Sequence, residues 1–285
     1  MTKQLTVLDY SRRIERVVDH IADHLDEPLD LERLAAVACF SPFHFHRIYR
    51  ALTGETAADT LRRLRLNNAA GELVQGLAPL TAIAEQAGYR STAAFTRAFR
   101  ASYGIPPAAY RRQGRLVPPS PLPTDTETAM YDVSIRALPP VRLVAMRHGG
   151  SYLEIGTTFE RLFAWGAGRG LMGPQTRAIG VYYDDPDGTP AAALRSDAGI
   201  AVDVDGALED GLRWIEVPGG RHAVLHHKGP YAELNKAYRW LYRDWLPGSG
   251  EQCGDRPIFE EYLNNPRTLP PEEWLTDICL PLVER

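Results

Sequence analysis

"SPFHFHRIYRALTG", residues 41–54, can be laid over "STAAFTRAFRASYG", residues 91–104, without a gap. Ser41 falls on Ser91, Phe45 on Phe95, Arg47 on Arg97, Arg50 on Arg100 and Gly54 on Gly104. Working outward, "LERLAAVACF" (31–40) lies over "LTAIAEQAGY" (80–89), with Arg90 as a one-residue insertion. The apolar residues of these segments recur at three- and four-residue spacing, the period of a helix with one buried face. Each copy therefore reads as a short helix, a tight connection at Cys39 or Gly88, and a second helix. The second helix opens on a serine and closes before a glycine, residue types suited to those ends. One helix-turn-helix pattern is a weak signal; two copies with coincident aromatics and arginines are a strong one. Between them "TAADTLRRLRLNNAAGELVQG" (56–76) holds Leu61, Leu64 and Leu73 in helical register, as a rigid connector would. Such a rod would set the two second helices about one DNA turn apart, roughly 34 Å.

The charge of the chain is divided the same way. Up to Arg115 there are 16 Lys and Arg against 12 Asp and Glu, an excess of four positive charges; the whole chain carries −4, so the remainder carries −8. The early basic residues are almost all arginine, clustered at 47–65 and 90–115, and arginine is the side chain for bidentate phosphate and guanine contacts. Three cysteines, far apart and never in a C-x-x-C pair, argue against a disulfide framework or a zinc knuckle and fit a reducing cytoplasm. No apolar run reaches the length of a membrane span, so a cytoplasmic location without a membrane partner is expected.

Near residue 120 the pattern changes. "GRLVPPSPLPTDTET" (114–128) carries prolines at 118, 119, 121 and 123, which favour an extended spacer. Beyond it, short β-branched and aromatic segments bounded by Gly, Pro, Asn and Asp read as strands, with helices at 154–170 and 231–248. The expected domains are 1–113, all α; a linker, 114–128; and 129–285, α+β. This second part repeats at about eighty residues: His148 falls on His227, Tyr152 on Tyr231, Tyr182 on Tyr262, Pro186 on Pro266 and Asp197 on Asp277. Each copy runs strand, helix, strand, strand, and two pseudo-symmetric βαββ units in one sheet would leave a cleft where they meet.

In "PIFEEYL" (257–263), alternation puts Ile258, Glu260 and Tyr262 on one face and Phe259, Glu261 and Leu263 on the other. The repeat partner of Glu260 is Gly180, so one half alone carries a carboxylate. A lone carboxylate among aromatics attracts a cation by charge and by cation–π contact. Trp165, Tyr182, Tyr238, Trp240, Tyr242, Trp245 and Tyr262 are the candidates to surround it, though helical aromatics at this spacing often face a core. Asp197 and Asp277 are expected to cap turns or tie strands.

The first 113 residues resemble the DNA-binding domain of AraC-family transcription regulators, most specifically in "AFTRAFRASYGIPPAAYR" (94–111). That resemblance implies double-stranded promoter DNA as a partner, and RNA polymerase as the machinery acted on. It also implies that Phe43, His46 and Arg47 read bases from the first motif, and Thr92, Ala93 and Arg97 from the second. Arg50, Arg90 and Thr96 complete the expected DNA contacts. Pro42 and Ala93 stand where longer polar side chains are usual. "HHKGPYAELNKAY", "FEEYLNNP" and "WLTDICLPL" resemble the GyrI-like small-molecule-binding domain, which implies an aromatic or cationic effector. The alternatives for that domain are a hydrolase of a toxic small molecule with Glu260 as general base, or a sequestering module. No cofactor or metal is expected. His44 and His46 diverge by about 200° on a helix, and the face shared by His20 and His24 lacks both the glutamate and the third ligand of a zinc motif.

Overall fold

Helical periodicity in the first 113 residues becomes seven helices in the computed structural model, which describes residues 2–76, 78–116, 130–173, 175–202 and 208–284, with side chains from Asp9 on. They are α1 (Thr2–Asp23), α2 (Leu31–Ala38), α3 (Pro42–Thr53), α4 (Ala57–Gln75), α5 (Leu80–Gln86), α6 (Thr92–Tyr103) and α7 (Pro107–Gln113). The two motifs turn at equivalent corners, Cys39 at φ 53° and Gly88 at φ 81°, both in the left-handed region. Both second helices close on a left-handed glycine, Gly54 at φ 79° and Gly104 at φ 77°. Their openings differ. Ser91 accepts a hydrogen bond from the Ala94 amide, whereas Ser41 makes no capping bond and its hydroxyl is buried without a partner among the described residues. Pro42, the first residue of α3, already presets the backbone of that turn. The connector α4 starts with a capping box between Thr56 and Asp59 and, at 19 residues, runs about 28 Å.

The second motif closes its own core from Leu66, Leu73, Ile83, Phe95, Phe99 and Tyr110. The first does not. Tyr10, Val17, Ile21, Phe45, Ile48 and Tyr49 belong to one cluster with Leu241, Tyr242 and Leu246 of the C-terminal part. The packing boundary therefore runs between the two motifs and not between the two parts of the chain. The prolines read as a linker lie outside the described residues.

The C-terminal part is one antiparallel sheet. Its elements are β1 (Asp132–Leu138), β2 (Val141–Gly149), α8 (Ile155–Ala167), β3 (Arg177–Tyr182), β4 (Arg195–Ala201), β5 (Leu212–Val217), β6 (Gly220–Lys228), α9 (Leu234–Trp240), β7 (Ile258–Tyr262) and β8 (Leu275–Pro281). Helix α9 continues through a π turn, Leu241–Trp245, into a last turn, Leu246–Ser249. The strand order β1-β6-β8-β7-β3-β4-β2-β5 is two equal halves related by an axis between β7 and β3. Each half holds the expected βαββ unit, with one addition. The strand that precedes each unit in the chain pairs at the edge of the other: β1 with β6, and β5 with β2.

On one face of the sheet, α8 packs over β2 and β4, while α9 packs over β6. On the opposite face Leu143, Ile179, Val181, Val224, Phe259 and Cys279 form a second apolar layer. Asp197 and Asp277 tie strands. Asp197 takes Arg213, Arg147 and the Tyr183 hydroxyl, and Asp277 takes His226 and Arg136.

Candidate functional site

The pseudo-two-fold axis passes between Gly180 and Glu260, which face each other across β3 and β7. Alternation then places Tyr182 and Tyr262 on the same face as Glu260, beneath α8 and α9. Tyr238 donates to Glu260 Oε1 at 2.8 Å and Tyr262 donates to Oε2 at 2.8 Å. With the Tyr262 proton committed to the carboxylate, Tyr182 donates to the Tyr262 oxygen at 2.5 Å. Glycine at 180 makes room for this: a Cβ there would stand 2.9 Å from the Tyr182 hydroxyl and 3.0 Å from that of Tyr262.

Glu260 is only 4% exposed. Burial raises its pKa, while the three tyrosine hydroxyls and the charge of Arg47 act in the opposite direction. Aromatic edges complete the walls, with Tyr152 against Tyr182, and Tyr231 and Phe159 against Tyr262. The cleft has a volume of about 2340 Å³ and extends from this floor to α3, α4 and α6. That exceeds the ~300–1,000 Å³ of a small-molecule pocket because it includes the groove between the two parts.

Of the aromatics singled out in the sequence, Tyr182, Tyr238, Tyr242 and Tyr262 line this cleft; Trp165, Trp240 and Trp245 do not. Residues Phe159 and Phe163 take the cleft side of α8. Trp165, two residues on, is rotated away by about 200° and lies under Arg169 at 4.9 Å. Trp240 packs on Tyr131, and Trp245, half-buried, packs against the core where the π turn shifts the helical register. Tyr242 lines the cleft with its ring but is 1% exposed, and its hydroxyl is engaged by His44.

The two expected DNA-reading helices are in different situations. On α6, Ala93 and Arg97 are exposed, as is Arg90 just before it; Thr92 and Thr96 are half-buried, and Phe95 and Phe99 fully inside. On α3, Phe45, Ile48 and Tyr49 face inward as their counterparts do. On the opposite stripe Phe43 is half-buried, and His46, Arg47 and Arg50 meet the C-terminal part. Arg47 donates to the Asp184 carbonyl at 3.1 Å, and its guanidinium lies over the Tyr238 ring at 4.7 Å. Burial opposes the Arg47 charge, but Tyr242, Tyr238 and Asp185 around it raise its pKa. Arg50 is ion-paired with Asp187. His46 lies against Gly188, where a Cβ would stand 2.9 Å from its Nδ1, and burial lowers its pKa.

His44, given no role in reading the sequence, is fully buried in this contact. Its Nε2 is 2.8 Å from the Arg256 carbonyl and must donate; Nδ1 then accepts from the Tyr242 hydroxyl at 2.8 Å. The signal was one helical turn away, since His44 precedes buried Ile48 by four residues. The His20 and His24 rings lie 4.1 Å apart, tilted at 33°, and no cluster of three metal-ligating side chains occurs among the described residues.

Residues 131–283 match the family described as a GyrI-like small molecule binding domain, and residues 34–113 match a helix-turn-helix domain. The chain is similar to an uncharacterized HTH-type transcriptional regulator, YbfP, of Bacillus subtilis (strain 168), at 37% identity over 102 residues, 36% of this chain and 35% of that one. It is similar to a DNA gyrase inhibitor of Edwardsiella piscicida at 30% identity over 155 residues, 53% of this chain and 97% of that one. A probable transcriptional regulator, YgiV, of Escherichia coli (strain K12) matches at 30% over 155 residues, 53% and 96% of the two chains. The chain thus spans about a third of the length of the first and nearly all of the other two.

Proposed function

Because the chain belongs to the GyrI-like small-molecule-binding family and carries a helix-turn-helix domain of AraC type ahead of it, we propose that it is a transcription regulator. In this reading α3 and α6 bind promoter DNA, the C-terminal cleft takes an aromatic cation, and RNA polymerase is the machinery acted on. The observation that carries the effector half is Glu260, a buried carboxylate bonded to Tyr238 and Tyr262 under aromatic walls. A carboxylate so placed has given up most of its hydration, and a cation with flat apolar groups restores charge balance while stacking on the rings. The exposed arginine and small side chains of α6 support the DNA half: they leave room for a groove and reach for it. Two similar proteins, YbfP and YgiV, bear the names of transcriptional regulators, which supports the same reading.

Hydrolysis is less well supported. Each Glu260 oxygen accepts from a phenol hydroxyl, and these hydrogen bonds lower the basicity on which a general base depends.

The test uses tetraphenylphosphonium as the cation and triphenylphosphine oxide as its neutral analogue, both titrated calorimetrically. Glu260→Gln should weaken the cation about tenfold or more and leave the neutral compound unchanged; equal binding of both compounds by wild type would remove the cation site. Operator fragments come from selecting genomic DNA on the full-length protein. Arg97→Ala should cost about 1–3 kcal/mol on such a fragment and relax one base position. Unchanged binding would take α6 out of the reading. Recovery of a hydrated ligand after long incubation would make the domain an enzyme.

A further inference from the structure

The base-reading stripe of α3 is the surface that the C-terminal part covers, and one of its side chains reaches the effector site. Arg47 lies on the ring of Tyr238, the same tyrosine whose hydroxyl binds Glu260. The guanidinium is thus where the charged group of an aromatic cation would stack. We infer that Arg47 is a built-in occupant of the cation position, so that effector and docked α3 exclude each other and the effector frees α3 to enter DNA.

The inference rests on the regulator reading above and adds the sign of regulation: the ligand raises DNA affinity. Three observations carry it. First, exclusion has two causes. Arg47 already covers a face of Tyr238, and a second positive charge within a few Å of a buried guanidinium is repelled. Second, the docked stripe cannot read bases. Arg47 is held by the Asp184 carbonyl, Arg50 by Asp187, and His46 is pressed on Gly188. Third, the equivalent stripe of α6 is left open, with Arg97 exposed, so the covering is particular to α3, whose Arg47 reaches the ring of Tyr238. An intact second motif beside a covered first one would give weak DNA binding before the ligand and full binding after it.

Linkage makes the coupling reciprocal. If the cation binds only when Arg47 has left, its apparent affinity is reduced by the fraction of molecules that are open. Any change that opens the contact must then tighten the cation and DNA by related factors, about 5–150-fold for ordinary couplings.

Two variants of the full chain test this. Arg47→Met keeps the apolar stem and removes the competing charge. Gly188→Trp, at a residue touching neither Glu260 nor the α6 stripe, wedges α3 away through His46; the glycine backbone there is outside the left-handed region, so the strain falls on the contact. Both should bind tetraphenylphosphonium about 5–150-fold more tightly than wild type. Gly188→Trp should also bind the operator fragment without ligand as tightly as ligand-saturated wild type, and respond no further to the ligand. If wild type binds the cation but neither variant tightens it, the competition is overturned and the effector reading stands. If ligand weakens operator binding by wild type, the sign is overturned. If neither wild type nor the variants bind the cation, the effector reading fails, and the inference with it.

Discussion

His44 is engaged at both ring nitrogens by the C-terminal part, and burial together with the Arg47 charge lowers its pKa to about 3. A histidine whose folded pKa is depressed contributes its stability fully above its ordinary value of 6.5, and the contribution is lost as pH falls from there toward 3. The loss is about 1.4 kcal/mol per pH unit in that window. Thermal unfolding of wild type and His44→Gln from pH 7.5 to pH 4.5 checks this: wild type should lose more stability than the variant as the solution is acidified. A constant difference between them would mean that His44 is protonated without leaving its bonds. No period in the sequence could have shown this partner, because Tyr242 lies 198 residues away in the chain.

At the scale of elements, much of the site was legible. Two-residue alternation in β7 placed Glu260 and Tyr262 on one face and Glu261 on the other, where it meets Arg177. The internal repeat made Gly180 the counterpart of Glu260, and the two pair across β3 and β7. This pairing carries a prediction of its own. Gly180→Ala should separate the Tyr182 and Tyr262 hydroxyls and overpack the floor of the cleft, at a cost of about 1–3 kcal/mol in unfolding free energy, with weaker tetraphenylphosphonium binding. Calorimetry and chemical denaturation on the same sample measure both. The misread aromatics failed for equally local reasons. Trp165 lies on the far side of α8 from Phe159 and Phe163, and Trp245 ends a π turn that an α-helical period cannot anticipate. The helix-turn-helix motifs were readable to their corners because Cys39, Gly54, Gly88 and Gly104 mark backbone conformations that few residues accept.

For the whole molecule, the sequence divides into a basic helical part and an acidic sheet part, and that division holds for the chain. It does not hold for the packing, since the first motif shares its core with the second part. Charge and periodicity describe a segment; they carry no information on which distant segment covers it. The exchange of edge strands has a similar reach. Strand β1 is the first of the sheet to be synthesised, yet its partner β6 begins at Gly220, and β6 in turn is flanked by β8, the last strand. Val133 waits for Leu225, and Leu225 for Ile278. A chain ended at residue 219 should therefore fail to give a cooperative unfolding transition in the sheet domain, which circular dichroism on heating would show. Long-range pairing of this kind slows folding. It also means that β1 emerges from the ribosome as an unpaired edge, and stays open to the wrong partner until β6 and β8 have followed it.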